Sequence, residues 1–98
     1  MIMRRVKQNK YTQKIDAEID LHGMTQTEAR RELLLFLDEA ESKPWQRVRI
    51  ITGKGIHSEN GIGVLRELTE TLLRGKGLSF VEAKIVDGGS GALVVKIY

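Results

Sequence analysis

Residues 15 to 28 read Ile15-Asp16-Ala17-Glu18-Ile19-Asp20-Leu21-His22-Gly23-Met24-Thr25-Gln26-Thr27-Glu28, and a change of rhythm inside this stretch decides the fold. Ile15, Ala17, Ile19 and Leu21 alternate with Asp16, Glu18 and Asp20, the period of a strand with one face buried and the other polar. After His22-Gly23 the period lengthens. Thr25 and Glu28 stand three apart, as in a capping box, and Ala29, Leu33, Phe36, Leu37 and Ala40 recur at helical spacing. The reading is a first strand from Ile15 to Leu21, a tight turn, and a first helix from about Gln26 to Glu41.

Towards the C terminus, Pro44 closes the helix region, because the residue before a proline is driven out of helical conformation. Arg47-Val48-Arg49-Ile50-Ile51-Thr52 reads as a second strand, followed by the glycine-rich Gly53-Lys54-Gly55-Ile56-His57-Ser58-Glu59-Asn60-Gly61, the longest loop. Val64, Leu65, Leu68 and Leu72 set the apolar stripe of a second helix, roughly Gly63 to Arg74, which Gly75 is placed to end as a left-handed cap. Val81, Ala83 and Ile85 alternate, as do Leu93, Val95 and Ile97, and Gly88-Gly89-Ser90-Gly91 between them is turn chemistry, so strands three and four form a hairpin. The order β-α-β-α-β-β predicts an α/β fold. It is a two-layer sandwich on a four-stranded mixed sheet, with parallel neighbours across the helical crossovers and an antiparallel final strand.

Towards the N terminus, the composition changes near Lys14. Residues 1–14 form a basic extension with five Lys or Arg and no acid, against eleven basic and thirteen acidic residues in 15–98, the patterned domain. A basic arm suits phosphate backbones, and a solvated terminal extension is the plainer alternative. A chain of 98 residues has room for one core. The absence of cysteine excludes disulfides, thiolate catalysis and Cys-based zinc sites, and points to a cytoplasmic protein. The N terminus has no apolar signal segment and no later apolar run approaches a membrane span, so no membrane partner is expected. Nothing in the sequence fixes an oligomeric state.

The strand alternation, continued, projects Asp20 and His22 to one side while Ile19 and Leu21 enter the core. They stand at the carboxyl end of the first strand, where open α/β sheets bind ligands, and strand two delivers Thr52-Gly53-Lys54-Gly55 to the same edge. Glycine amides can approach an anion, Lys54 adds positive charge, and His22 can accept or donate a proton. Alone, Asp20-Leu21-His22-Gly23 reads as a turn in which Asp20 is a cap, Gly23 supplies a left-handed conformation and His22 is a surface histidine. Gly53-Lys54-Gly55 lacks the spacing of a nucleotide-binding P-loop, so ATP hydrolysis is not indicated. Gly88 to Gly91 reads as a hairpin turn whose amides can also lie against a phosphate. His57 is the one other histidine, which excludes a zinc site of several imidazoles. Trp45 reads as a packing residue, with base stacking as the alternative.

Ile19-Asp20-Leu21-His22-Gly23, Thr52-Gly53-Lys54-Gly55 and Gly88-Gly89-Ser90-Gly91-Ala92 together, in this order, resemble the motifs of the Smr (small MutS-related) domain family over about residues 16–98. The resemblance implies a fold like the C-terminal domain of a bacterial translation initiation factor. It also implies nicking of DNA or endonucleolytic cleavage of RNA, with Asp20, His22, Thr52, Gly53 and Gly55 at the functional positions. Lys54 occupies the motif's variable position, so its role rests on electrostatics; Gly89 and Gly91 are further phosphate-contact candidates.

On this reading Asp20 and His22 are catalytic, with His22 as general acid or base and Asp20 orienting it. RNA suits a lone histidine, since its 2′-hydroxyl supplies the nucleophile; DNA hydrolysis calls for a metal-activated water. If Mg²⁺ or Mn²⁺ takes part, Asp20 is its protein ligand, with Glu59 a speculative second, and no organic cofactor is expected. Two rivals remain: a non-catalytic module binding structured DNA, RNA or a ribosome, and a small-molecule phosphate site at Gly53 to Gly55.

Overall fold

The computed structural model describes residues 14–53, 63–83 and 91–97. Its elements run β1 (Ala17–Asp20), α1 (Gln26–Ser42), β2 (Arg47–Ile51), α2 (Val64–Gly75), β3 (Ser79–Glu82) and β4 (Ala92–Lys96). The sheet order is β1-β2-β4-β3. β1 and β2 pair in parallel, and β4 lies antiparallel to both β2 and β3. The predicted mixed sheet and β3–β4 hairpin pairing are therefore present. Because β4 runs against its neighbours, its first residue lies at the same edge as the last residues of β1, β2 and β3.

One face of the sheet carries the main core. Ala17, Ile19, Val48, Ile50, Leu93 and Val95 pack with Ala29, Leu33, Phe36, Leu37 and Ala40 of α1 and Leu73 of α2. Trp45 joins this core, 9 % exposed and 6.0 Å from Phe36 between ring centroids, as a packing residue. The Thr25 cap forms as read. Its hydroxyl accepts from the Glu28 N–H at 3.1 Å and the Glu28 carboxylate accepts from the Thr25 N–H at 3.0 Å. That backbone hydrogen bond, ahead of the one with the Thr25 hydroxyl, holds the Glu28 carboxyl below its ordinary pKa.

Four details depart from the sequence reading. β1 starts at Ala17, since Asp16 turns aside to accept from the Gln46 and Arg47 N–H groups at 2.8 and 3.1 Å; Ile15 packs with Ala83, Ala92 and Val94 instead of with Ile19. Glu18, expected on a polar face, is 3 % exposed. Its register partner is Arg49, whose Nε donates to its carboxylate at 2.6 Å and whose Nη2 also binds it, so a buried charge is matched by a buried countercharge. Gly75 is still helical. The left-handed residue is Gly77, φ 72°, with the Gly77 N–H donating to the Arg74 carbonyl and Leu78 N–H to the Leu73 carbonyl, each at 3.0 Å, which is the Schellman pattern. β3 starts at Ser79, directly after this reversal. Phe80 then faces the helical core, and Val81 and Ala83 alternate as expected but on the other face, where Ala83 is buried and Val81 is 60 % exposed; Ile85 lies outside the described residues. No helix among the described residues is long and apolar enough to cross a membrane.

Candidate active site

Everything singled out for chemistry, where described, collects at one edge of the sheet. β1 ends at Asp20, and the Leu21 N–H, donating to the Ile51 carbonyl at 2.7 Å, holds the exit of β1 beside that of β2. Leu21 is fully buried, so the chain is anchored immediately before His22. The Met24 N–H donates to the Leu21 carbonyl at 3.0 Å and closes a four-residue turn. Gly23 has φ 83°, the positive value a type II turn needs at its third residue.

Within this turn Oδ1 of Asp20 accepts the His22 backbone N–H at 3.0 Å and lies 2.6 Å from His22 Nδ1. The same oxygen fixes the backbone and the ring. With Nδ1 facing a carboxylate, the tautomer assigned by geometry carries its proton on Nδ1, which leaves a lone pair on Nε2. The His22 side chain is 67 % exposed and that of Asp20 30 %, so the pair is held from below and open above. Asp20 is thus both the turn cap and the partner of the imidazole.

Gly53 supplies the wall beside His22. It has φ 86°, and a Cβ there would stand 3.4 Å from the His22 Cβ. Thr52, 6 % exposed, donates its hydroxyl to the Gly53 carbonyl at 3.2 Å. The Thr52 and Gly53 N–H groups both donate to the Gly91 carbonyl, at 2.9 and 3.1 Å. The structure therefore joins Asp20, His22, Thr52, Gly53 and Gly91 in one contiguous assembly. It also alters the role read for the glycine loop: the Thr52 and Gly53 amides are engaged inside the protein, where they brace the edge and are not presented to an anion. The signal missed in the sequence is the acceptor. Gly91, a candidate for its amide, supplies its carbonyl to this brace. Lys54, Gly55, His57, Glu59 and Gly89 lie outside the described residues.

The sequence profile of the family described as Smr domain matches residues 19–98. The chain belongs to the Smr domain family. This Smr domain is similar to the crystal structure of the Smr domain of Thermus thermophilus MutS2, with 34 % identity, TM-score 0.68, and 81 % of this chain and 94 % of that chain covered. It also shares the fold of YdaL, a stand-alone small MutS-related protein from Escherichia coli, with TM-score 0.75 at 21 % identity over 98 % of this chain and 82 % of that one. Among curated proteins, Endonuclease NBR9 of Saccharomyces cerevisiae is 32 % identical over 84 residues, 82 % of this chain and 32 % of the yeast protein. An uncharacterized protein of Treponema pallidum is 43 % identical over 58 residues, 59 % of this chain and 29 % of that protein. The chain spans about a third of the length of the curated relatives it matches.

Proposed function

We propose that this Smr domain is a nucleic-acid endonuclease, and that RNA is the substrate its geometry suits best. The observation that carries the reading is the Asp20–His22 pair, 2.6 Å apart on an open edge. A carboxylate on Nδ1 orients the imidazole and stabilises the imidazolium that forms when Nε2 takes a proton. On RNA, Nε2 removes the 2′-hydroxyl proton, the 2′-oxygen attacks the adjacent phosphorus, and the bond to the 5′-oxygen breaks. The products are a 2′,3′-cyclic phosphate and a 5′-hydroxyl, with the proton returned to the leaving oxygen. The likeness to a yeast protein named an endonuclease supports this reading.

Positive charge for the phosphate comes, on this reading, from Lys54, the residue that follows Gly53. Mg²⁺ or Mn²⁺ at this edge would rest on Asp20, whose Oδ1 is already bound by His22, leaving Oδ2. One carboxylate oxygen does not make a protein-held divalent site, and among the described residues no three ligating side chains are grouped. No step here runs through a metal.

The test is incubation of the protein and His22→Ala with matched RNA and DNA, single-stranded, duplex and branched, with Mg²⁺, Mn²⁺ or chelator. RNA cleavage that survives chelator, ends in a cyclic phosphate and disappears in His22→Ala while binding persists supports the proposal. Chelator-sensitive cutting of all-DNA substrates replaces the histidine scheme with a metal-activated water, and binding without cutting on every substrate makes the domain a nucleic-acid- or ribosome-binding module.

A further inference from the structure

At the opposite end of the sheet, on the face turned away from the helices, a cleft is lined by Arg47, Ser79, Phe80, Val81, Val94 and Lys96. The register explains its composition. Arg47 pairs with Lys96, and Lys96 with Ser79, in one cross-strand row; Arg49 pairs with Val94, and Val94 with Val81, in the next same-face row. Two cations directly opposite each other repel and destabilise a sheet unless an anion lies between them. Among the described residues neither is matched. The nearest acid in the row, Asp16, binds the Gln46 and Arg47 backbone N–H groups and lies 4.0 Å from Lys14 Nζ.

We propose that this cleft docks an acidic, aliphatic segment of a partner protein, with carboxylates on Arg47 and Lys96 and an aliphatic side chain over Val81 and Val94. Three observations select this occupant. The exposed apolar residue of the floor is Val81, 60 % exposed, which offers apolar contact and no stacking surface. The one ring present, Phe80, packs on the helical core and lies under the Arg74 guanidinium at 5.6 Å, so it presents no free face to a nucleobase. The chain's own residues 1–14, with five Lys or Arg and no acid, have the wrong charge for the cationic row.

The test is titration of ¹⁵N-labelled protein with a capped decapeptide alternating Glu and Val. A Lys and Val counterpart and a single-stranded oligonucleotide serve as parallel probes. The Glu and Val peptide is expected to shift the Ser79, Val81, Val94 and Lys96 amides and to leave the His22 and Gly23 amides in place. Lys96→Glu is expected to weaken it about tenfold or more, the scale of one charged contact, with Lys96→Gln as the milder variant if the charge reversal perturbs folding. Absence of shifts at these amides, equal binding of the Lys and Val peptide, or stronger shifts from the oligonucleotide at the same amides overturns the proposal; the last outcome assigns the cleft to nucleic acid.

Discussion

Gly53→Ala separates two properties of the edge that are otherwise hard to distinguish, its stability and its hold on His22. Alanine at φ 86° carries the left-handed penalty of an L-residue, about 1–2 kcal/mol. Gly77, φ 72° with nothing within 4 Å of an added Cβ, carries the same penalty at a helix end remote from the site. For a domain of this size, each variant should lose about 4–16 °C in Tm. Only at Gly53 does the new methyl meet the His22 Cβ, at 3.4 Å, so the backbone adjustment forced by the positive φ is passed to the residue that carries the imidazole. Gly53→Ala is therefore expected to lower RNA cleavage about tenfold to a hundredfold, the cost of misplacing a reacting group by a fraction of an ångström to one ångström. Gly77→Ala should cut normally at temperatures where it is folded. Thermal denaturation by circular dichroism gives the first quantity, and initial rates well below both midpoints give the second. Equal loss of activity in the two variants, or full activity in Gly53→Ala, refutes the view that Gly53 positions His22.

Asp20→Asn keeps the shape of the pair and removes the charge that supports an imidazolium, so cleavage should fall about a hundredfold or more, with RNA affinity measured by anisotropy little changed. Glu18→Gln removes the buried carboxylate that Arg49 binds and should cost about 3–5 kcal/mol in urea denaturation, whereas the pair Glu18→Leu with Arg49→Met should cost much less. Because the Glu28 carboxyl is lowered in the folded state, its contribution is fully present above the ordinary value of 4.5 and is lost as pH falls through the lowered folded value. Thr25→Ala should cost about 1 kcal/mol near neutrality and flatten the acid side of the stability–pH curve recorded by thermal denaturation. The Thr52 and Gly53 amides, bound to the Gly91 carbonyl, should exchange slowly in the free protein and remain equally protected when RNA is added; fast exchange in the free protein would contradict their bracing role.

What could be read from the sequence was local. The alternation of Ile19 and Leu21, the three-residue spacing of Thr25 and Glu28 and the two-residue spacing of Asp20 and His22 each depend on backbone periods that neighbouring residues impose. What escaped was set at a distance or by competition. Glu18 looks like any outward-facing acid until Arg49, 31 residues on, is placed beside it by register. Gly75 and Gly77 are equivalent stop signals in sequence. Packing of Leu78 against the core selects the second, and with it the face that Phe80 and Val81 present.

The mixed topology gives the candidate site a division of labour that the motifs alone do not express. Had β4 run parallel to β2, its first residue would lie at the far edge, and the Gly91 carbonyl would be out of reach of Thr52 and Gly53. Insertion of an antiparallel β4 between β2 and β3 brings Gly91 to that edge, and its carbonyl takes both amides. The glycine positions after β2 and before β4 then act as a brace, with Gly53 in a positive-φ conformation beside His22. The Asp20–His22 pair is left as the described titratable chemistry on the assembly. A glycine-rich segment beside a histidine invites the reading of an anion cradle; the hydrogen bonds make part of it the support that holds the histidine still, a prerequisite for a general base that must meet a hydroxyl within hydrogen-bond reach.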